Sequence, residues 1–176
     1  MADALIGLGG NVGDARAVLD EAVRRFCDGA EVKLAARSAD YRTAPWGVLD
    51  QPDFVNLCLR VETGLPPRAL LARALAVEAS LGRNRAAEKR WGPRIVDIDL
   101  LAYDDVALDE PGLILPHPRL AERAFVLVPL REIAPDWRIG GESVGALAAR
   151  LDAAGVERLA PVKARDSLRP AKRGEG

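Results

Sequence analysis

Cysteine, histidine and aromatic residues are scarce in this sequence, and their scarcity excludes several kinds of site. Among 176 residues there are two cysteines, Cys27 and Cys58, and one histidine, His117, while aromatic residues make up 5%. With no Cys-x-x-Cys pair and no second histidine, a multi-histidine or Cys/His zinc site is excluded. We interpret both cysteines as reduced thiols of a cytoplasmic protein, because disulfides are rare in that compartment.

Long apolar runs and an excess of charge of one sign are also missing. No run of about 20 apolar residues could span a bilayer, and the residues after Met1 lack the basic start of a signal peptide. The formal net charge of −1 gives the chain no general attraction for nucleic acid or an anionic membrane. We therefore expect one monomeric domain over residues 1–160 that acts on small molecules, followed by a disordered basic tail over residues 161–176.

A pair of carboxylates does stand out, because it lies inside an apolar run. The segment Val96-Asp97-Ile98-Asp99-Leu100 follows a Gly-Pro turn and predicts a buried strand. Side chains alternate along a strand, so Asp97 and Asp99 share one face. Two like charges in apolar surroundings raise each other's pKa, and a bound Mg²⁺ would remove that cost. A solvent-facing polar stripe is the alternative, and it is the commoner outcome for an isolated Asp-x-Asp pair.

The residues just upstream favour the metal site. The stretch Gly82–Arg94 carries five cations against one acid. Arginine guanidinium groups bind phosphate oxygens through paired hydrogen bonds. Cations beside a carboxylate pair are what a magnesium–nucleotide polyphosphate requires. We expect this stretch to form a lid that closes over the nucleotide and excludes water.

The rest of the chain predicts an α+β fold. Strands are indicated at 4–8, 31–43 and 54–63, and helices at 15–26 and 68–81, before the strand that carries the two acids. This β-α-β-β-α-β order is typical of a ferredoxin-like antiparallel sheet flanked by helices. C-terminal additions follow as a hairpin over 103–115 and helices over 120–133 and 143–154. Asp14 and Ser143 are the expected N-caps, and Pro129 marks a kink or boundary.

Three single residues leave two interpretations open. Glu78, in the last turn of a helix, is either a surface carboxylate paired with a neighbouring arginine or a polar contact at the lip of the site. Trp46, in a loop, either plugs the core or forms one wall of a binding site. His117, in a Pro-flanked loop, either faces solvent or contacts phosphate.

Together these motifs resemble the 6-hydroxymethyl-7,8-dihydropterin pyrophosphokinase family of the folate pathway. The resemblance covers about residues 4–136 and depends on the segments Leu8–Asp14, Tyr41–Thr43, Gln51–Asn56, Gly82–Arg85, Arg90–Asp99, Pro116–Pro118 and Arg123–Phe125. It implies transfer of the β,γ-pyrophosphate of ATP to the pterin hydroxymethyl group, release of AMP, and two bound Mg²⁺ ions.

The resemblance also implies roles for individual residues. Those implied in catalysis are Arg83, Arg94, Asp97 and Asp99, and both aspartates would bind the metal. Those implied in ATP binding are Glu78, Arg83, Arg85, Trp91, Arg94, Ile98, His117 and Arg123. Those implied in pterin binding are Thr43, Ala44, Trp46, Phe54, Asn56, Trp91, Asp97 and Phe125, with the rings of Phe54 and Phe125 enclosing the pterin.

Three positions depart from the family's usual pattern. Gly10 stands where serine is common, Ala44 where proline is common, and Leu75 where glutamine is common. None of them alters the acid pair or the arginines, so we expect activity. The alternatives are a non-catalytic paralogue that binds a pterin or nucleotide, a pyrophosphokinase for a modified pterin, and a nucleotide hydrolase.

Overall fold

A computed structural model describes residues 1–45, 47–89 and 91–162 of the chain. The expected disordered tail lies outside the described residues except for positions 161 and 162, and Trp46 also lies outside them. The described strands are β1 Ala2–Gly10, β2 Val32–Arg37, β3 Tyr41–Thr43, β4 Phe54–Thr63, β5 Asp97–Tyr103, β6 Leu108–Glu110, β7 Leu113–Leu115, β8 Arg138–Ile139, β9 Glu142–Ser143 and β10 Val156–Arg158. The described α-helices are α1 Ala15–Phe26, α2 Pro67–Ser80, α3 Ala124–Ile133 and α4 Val144–Arg150.

The main sheet is antiparallel, as the sequence predicts. Its order is β10-β3-β4-β1-β5, and β2 also pairs with β4. The central strand β1 pairs along its whole length with β4 and along most of it with β5. The α+β class with an antiparallel sheet is therefore confirmed, but three strands, β2, β3 and β4, lie between α1 and α2 where the predicted β-α-β-β-α-β order has two. The predicted hairpin is present as the pair β6–β7.

Helices cover both faces of the sheet. On one face α1 and α2 bury Leu19, Phe26 and Leu70 against alternate residues of β1, β4 and β5. On the other face α3 and α4 pack Leu127 and Leu147 against the intervening residues of the same strands. Burial of these apolar side chains is the main stabilising term of such a layered fold.

The ends of the helices follow their capping residues. The side chain of Asp14 accepts a hydrogen bond from the Ala17 amide, and that of Ser143 accepts one from the Ala146 amide. Gly82 follows α2 with a φ of +92°, the left-handed conformation that commonly ends a helix. Both predicted N-caps are therefore confirmed.

Four expectations about element boundaries are wrong. The strand expected over 31–43 is interrupted at 38–40, and β2 and β3 pair with different parts of β4. The helix expected over 120–133 is a 3₁₀ turn, Leu120–Glu122, followed by α3, because Arg123 has an extended backbone. Pro129 lies inside α3 rather than at its boundary. The last predicted helix ends at Arg150 rather than near residue 154.

Two further predictions concern the chain as a whole. Cys27 and Cys58 are both free cysteines, as expected. Among the described helices, none has the length and apolar character needed to cross a membrane.

Candidate active site

A cavity of about 290 Å³ opens where β1 ends and where β4 and β5 begin. It lies on the face of the sheet that α3 covers. The residues of the sequence-predicted site that line it are Thr43, Ala44, Phe54, Asn56, Arg83, Arg85, Trp91, Arg94, Asp97, Asp99, His117, Arg123 and Phe125. Segments far apart in sequence, from β1 to α3, therefore meet at one site.

Glycine in β1 makes room for this cavity. Gly9 pairs with Asn56 of β4 on one side and with Asp97 of β5 on the other. A Cβ atom at Gly9 would lie 2.5 Å from the Asn56 Oδ1 atom, closer than packed atoms approach. Gly10, one of the departures from the family pattern, lies as close to the segment that leads into β5, because its Cβ would be 2.4 Å from the Ile95 carbonyl oxygen.

The two aspartates share one face of β5 but have different surroundings. Asp97 accepts hydrogen bonds from Arg83 Nη1 at 2.6 Å and from Arg94 Nη1 at 2.8 Å. Burial alone would raise the pKa of Asp97, but these two arginines hold it below its ordinary value. The nearest cation to Asp99 is Arg123, at 3.8 Å. Burial, reinforced by the charge of Asp97, raises the pKa of Asp99 to about 6.

Arg94 presents an unused hydrogen-bond donor. Its amide donates to Asn11 Oδ1 at 3.0 Å, and its Nη1 donates to Asp97. Its Nε is buried and has no hydrogen-bond partner among the described residues. A buried donor without a partner is costly, and an anionic oxygen entering the cavity could satisfy it.

Beneath Asp97 lies a buried ion-pair cluster. Arg83 is 4% exposed; it pairs with Glu78, with both oxygens of Glu88, and with Asp97. Glu78 is 1% exposed and also accepts hydrogen bonds from Arg85 and from the Ile98 amide. The interpretation of Glu78 as a surface residue is therefore wrong. Burial raises the pKa of Glu78, although the Ile98 amide and the two arginines oppose that rise.

Another part of the cavity lining combines aromatic rings with a polar pair. Asn56 Nδ2 donates to Thr43 Oγ1 at 2.8 Å, and both residues are buried. Phe54 and Phe125 line the same cavity. The Arg123 guanidinium lies 5.6 Å from the centre of the Phe125 ring. Aromatic rings and a fixed side-chain amide suit a flat heterocycle with polar edges.

His117 lies at the cavity and not in open solvent. Its Nδ1 accepts a hydrogen bond from the Arg119 amide at 3.2 Å. In the neutral ring the proton is therefore on Nε2. Burial, together with the nearby charges of Arg123 and Arg119, lowers the pKa of His117.

Residues 5–135 match the family model for 7,8-dihydro-6-hydroxymethylpterin-pyrophosphokinase, abbreviated HPPK. The chain belongs to the HPPK family. It is 50% identical over 159 residues to the 2-amino-4-hydroxy-6-hydroxymethyldihydropteridine pyrophosphokinase of Methylorubrum extorquens, covering 90% of this chain and 99% of that one. The enzyme of the same name from Bacillus subtilis is 42% identical over 130 residues, covering 74% of this chain and 77% of that one.

Solved structures support the HPPK fold. The Plasmodium falciparum HPPK-DHPS structure with pteroate superimposes with a TM-score of 0.67 at 14% identity, covering 85% of this chain. A second structure, HPPK-DHPS in complex with substrates, gives a TM-score of 0.63 at 13% identity over 84% of this chain. This chain spans 42% and 43% of those longer chains. At such low identity the likeness shows the fold alone.

Two described residues that the HPPK resemblance implicates, Ile98 and Glu78, do not line the cavity, and a third, Trp46, cannot be placed relative to it. The side chain of Ile98 is buried in the core on the other face of the sheet. Glu78 lies behind Asp97, within the ion-pair cluster. Trp46 lies outside the described residues. Leu75, one of the three departures from the family pattern, is 38% exposed on α2 and is not among the lining residues.

Sequence reasoning missed the residues that hold the loops of the site together. Asn11 is 3% exposed; its Nδ2 donates to Gln51 Oε1 and to the Pro52 carbonyl. Gln51 Nε2 in turn donates to the Trp91 carbonyl at 2.8 Å. An asparagine directly after two glycines was the available signal, because a short amide side chain in a tight turn commonly bonds to nearby backbone.

The acid pair fits magnesium better than a metal held by protein alone. Among the described residues, no group of three or more histidine, cysteine, aspartate or glutamate side chains could hold an ion. The two carboxylates of Asp97 and Asp99 would therefore supply only part of the coordination shell. The remaining ligands would be water and phosphate. Magnesium is commonly held by one or two carboxylates together with substrate phosphates.

Proposed function

We propose that this chain is a magnesium-dependent pyrophosphokinase that transfers the β,γ-pyrophosphate of ATP to the hydroxymethyl group of 6-hydroxymethyl-7,8-dihydropterin and releases AMP. Family membership supports the reaction. The observation that carries the assignment to this cavity is that Asp97 and Asp99, several arginines, and the rings of Phe54 and Phe125 line the same space. One half of the cavity suits a triphosphate, and the other suits a pterin.

The pterin half would hold its substrate by stacking and by directed hydrogen bonds. Phe54 and Phe125 would cover the two faces of the ring system. Asn56, fixed by its bond to Thr43, would recognise the amide-like edge of the pterin. Ala44 would add a wall or backbone contact. This arrangement would direct the hydroxymethyl group toward the two aspartates.

The phosphate half would hold ATP through charge. Arg94 has a free buried Nε, and Arg85, His117 and Arg123 line the same space. When bound, two Mg²⁺ ions on Asp97 and Asp99 would neutralise the triphosphate and fix its conformation. The arginines would stabilise the negative charge that develops on the oxygen between the α- and β-phosphorus atoms.

The protein forms no covalent bond with the substrates in this reaction. The pterin hydroxyl oxygen forms a bond to the β-phosphorus, the bond from that phosphorus to the bridging oxygen breaks so that AMP leaves, and the hydroxyl proton is released to solvent. Catalysis of this kind depends on positioning and electrostatic stabilisation. No side chain is therefore assigned as a general base. Closure of the segment 82–92 over the site would exclude water, which competes with the pterin as acceptor.

Product analysis tests the proposal. The full chain is incubated with ATP, Mg²⁺ and the hydroxymethyl dihydropterin, and AMP and the pterin diphosphate should form in equal amounts. Binding of pterin or nucleotide without turnover would instead indicate a non-catalytic paralogue. Release of AMP or ADP without pterin would indicate a nucleotide hydrolase. Turnover of a modified pterin in preference to this one would identify a different substrate.

We also propose that the enzyme is a cytoplasmic monomer. Two free thiols are compatible with a reducing compartment. A balanced charge gives no reason to expect nucleic acid as a partner. Sedimentation of the purified chain tests the monomer, and fractionation of the cells that express it tests the location.

A further inference from the structure

We propose that Arg119 is a positioning residue that holds the Trp91 ring over the active site by a cation–π contact. The Arg119 guanidinium carbon lies 5.7 Å from the centre of the Trp91 ring, within the range of this interaction. Trp91 lines both the reaction cavity of about 290 Å³ and a neighbouring cavity of about 650 Å³, whereas Arg119 lines the neighbouring cavity alone. The pair therefore stands at the boundary between the two spaces.

Trp91 needs such support because its backbone is strained. Its φ is +64°, a left-handed conformation that is unfavourable for a bulky side chain. Two contacts from the segment 47–51 restrain it. Gln51 donates to the Trp91 carbonyl, and a Cβ atom at Gly47 would lie only 3.2 Å from the Trp91 Cβ. These contacts fix the backbone and the base of the side chain, and Arg119 acts on the ring.

The charge of Arg119 is available for this purpose. Among the described residues no carboxylate lies within ion-pair distance of it, in contrast to Arg83, Arg85 and Arg94, each of which pairs with Asp97. A guanidinium without a carboxylate partner is attracted to the electron-rich face of an indole ring.

Arg119 also connects Trp91 with His117. Its amide donates to His117 Nδ1, while its side chain contacts Trp91. Arg119→Lys leaves the amide and the charge in place, so it alters the contact with Trp91 and keeps both influences on His117, whereas Arg119→Ala also removes a charge that lowers the pKa of His117. The two contacts of one residue can therefore be separated by experiment.

The contact itself is tested without substrate. Full-length protein labelled with 5-fluorotryptophan gives fluorine resonances for its tryptophans, and the one lost in Trp91→Phe belongs to Trp91. In Arg119→Ala this resonance should shift or broaden, while that of Trp137 stays in place. Arg119→Lys keeps the charge and should restore part of the wild-type position. Arg131→Ala, at an exposed arginine of α3, is the matched control and should leave the Trp91 resonance unchanged. An unchanged Trp91 resonance in Arg119→Ala would overturn the proposal.

Kinetics test the consequence, which rests on the proposed function. Loss of an exposed cation–π contact corresponds to a change of about two- to fivefold in an equilibrium. We expect KM for ATP to rise by about that factor in Arg119→Ala, with kcat within about twofold of wild type, because Arg119 does not touch the reacting groups. In Arg119→Lys we expect KM to return part of the way to the wild-type value, and in Arg131→Ala we expect KM to stay at that value. An unchanged KM would contradict the positioning role. Absence of turnover in the wild-type chain would refute the proposed function instead, and the fluorine measurement would still decide the contact.

Discussion

At the scale of single residues, Asp97 and Asp99 differ in how their charge is compensated. Asp97 has two arginine partners within 2.8 Å, whereas the nearest cation to Asp99 is 3.8 Å away. Without metal, ionised Asp99 therefore destabilises the folded state, and its raised pKa expresses the same cost. Bound magnesium would therefore reduce the electrostatic cost more at Asp99 than at Asp97.

Asp99→Asn should consequently separate activity from stability. We expect turnover to fall by at least about a hundredfold, because a metal ligand is lost, and the unfolding temperature of the metal-free protein at pH 7 to rise by a few degrees. Steady-state assays and thermal unfolding measure the two effects. Asp109→Asn, at an exposed position of β6, is the control and should change neither. An Asp99→Asn enzyme with full activity would show that the metal assignment is wrong.

The raised pKa of Asp99 also predicts how magnesium dependence changes with pH. The carboxyl has a folded-state pKa of about 6, above its unfolded value, so below pH 6 a proton occupies the group that the metal needs. The magnesium concentration for half-maximal activity should rise by up to about tenfold per pH unit below 6. Magnesium titrations at pH 5, 6 and 7.5 measure this. Higher magnesium should restore activity if Asp99 is the group that titrates, whereas protonation of His117 would not be reversed by metal.

Arg94 should affect chemistry more than substrate affinity. Its amide is fixed by Asn11 and its Nη1 by Asp97, so its unpaired Nε has a defined direction. Replacement by alanine should lower kcat by about a hundredfold and change pterin affinity by less than about threefold. Single-turnover rates and equilibrium titration with pterin measure the two quantities, and Arg131→Ala is the matched control. Normal turnover with lost pterin affinity would contradict the phosphate role.

At the scale of secondary-structure elements, Glu78 fastens α2 to β5. It accepts a hydrogen bond from the Ile98 amide at 2.7 Å. It also pairs with Arg83, whose guanidinium donates a hydrogen bond to Asp97. Glu78→Ala would leave a buried amide and a buried cation with fewer partners, and should cost about 3 kcal/mol of unfolding free energy. Glu78→Gln keeps an acceptor for the amide and should cost about half as much. Urea unfolding measures both, with Glu62→Ala on the exposed side of β4 as the control. Equal stability of the alanine variant and wild type would contradict this role.

Alternation and capping were enough to predict most elements from the sequence. The acid pair on one face of β5, the N-caps Asp14 and Ser143, and the glycine that ends α2 all depend on local chemistry that a sequence displays. The pairing of Glu78 with arginines that follow α2 was one of its two interpretations, but its burial depends also on the Ile98 amide of β5, a contact between separate elements. The break at Arg123 within the predicted helix has no local signal of this kind. Tertiary contacts decide both features, so local patterns could not reveal them.

At the scale of the whole molecule, the two cores meet at the sheet, and the cavity lies on the side that α3 and α4 cover. Cys58 lies in the centre of β4, is 1% exposed and packs in the core with α3, so burial raises the pKa of its thiol. Cys27, at the end of α1, is partly exposed, and burial raises the pKa of its thiol to about 11. The two thiols therefore report on different motions. Cys58 borders the active-site cavity, but at 1% exposure its thiol becomes accessible only when the surrounding structure opens.

Alkylation of the two cysteines should accordingly report on global stability. At pH 8 the raised pKa leaves Cys27 with roughly a hundredfold less thiolate than a thiol at the ordinary value of 9.0, so iodoacetamide should modify it slowly. Cys58 should react at a rate set by the unfolded population, and Glu78→Ala should accelerate it by about a hundredfold.

A ligand that binds only the folded state lowers that population by the factor 1 + [L]/Kd. An ATP analogue with Mg²⁺ at about 100 Kd should therefore slow the alkylation of Cys58 by about a hundredfold. Mass spectrometry of timed samples measures both sites. If Glu78→Ala leaves the rate at Cys58 unchanged, the thiol is reached through a local opening around β4 and α3 that does not require α2 to separate from β5.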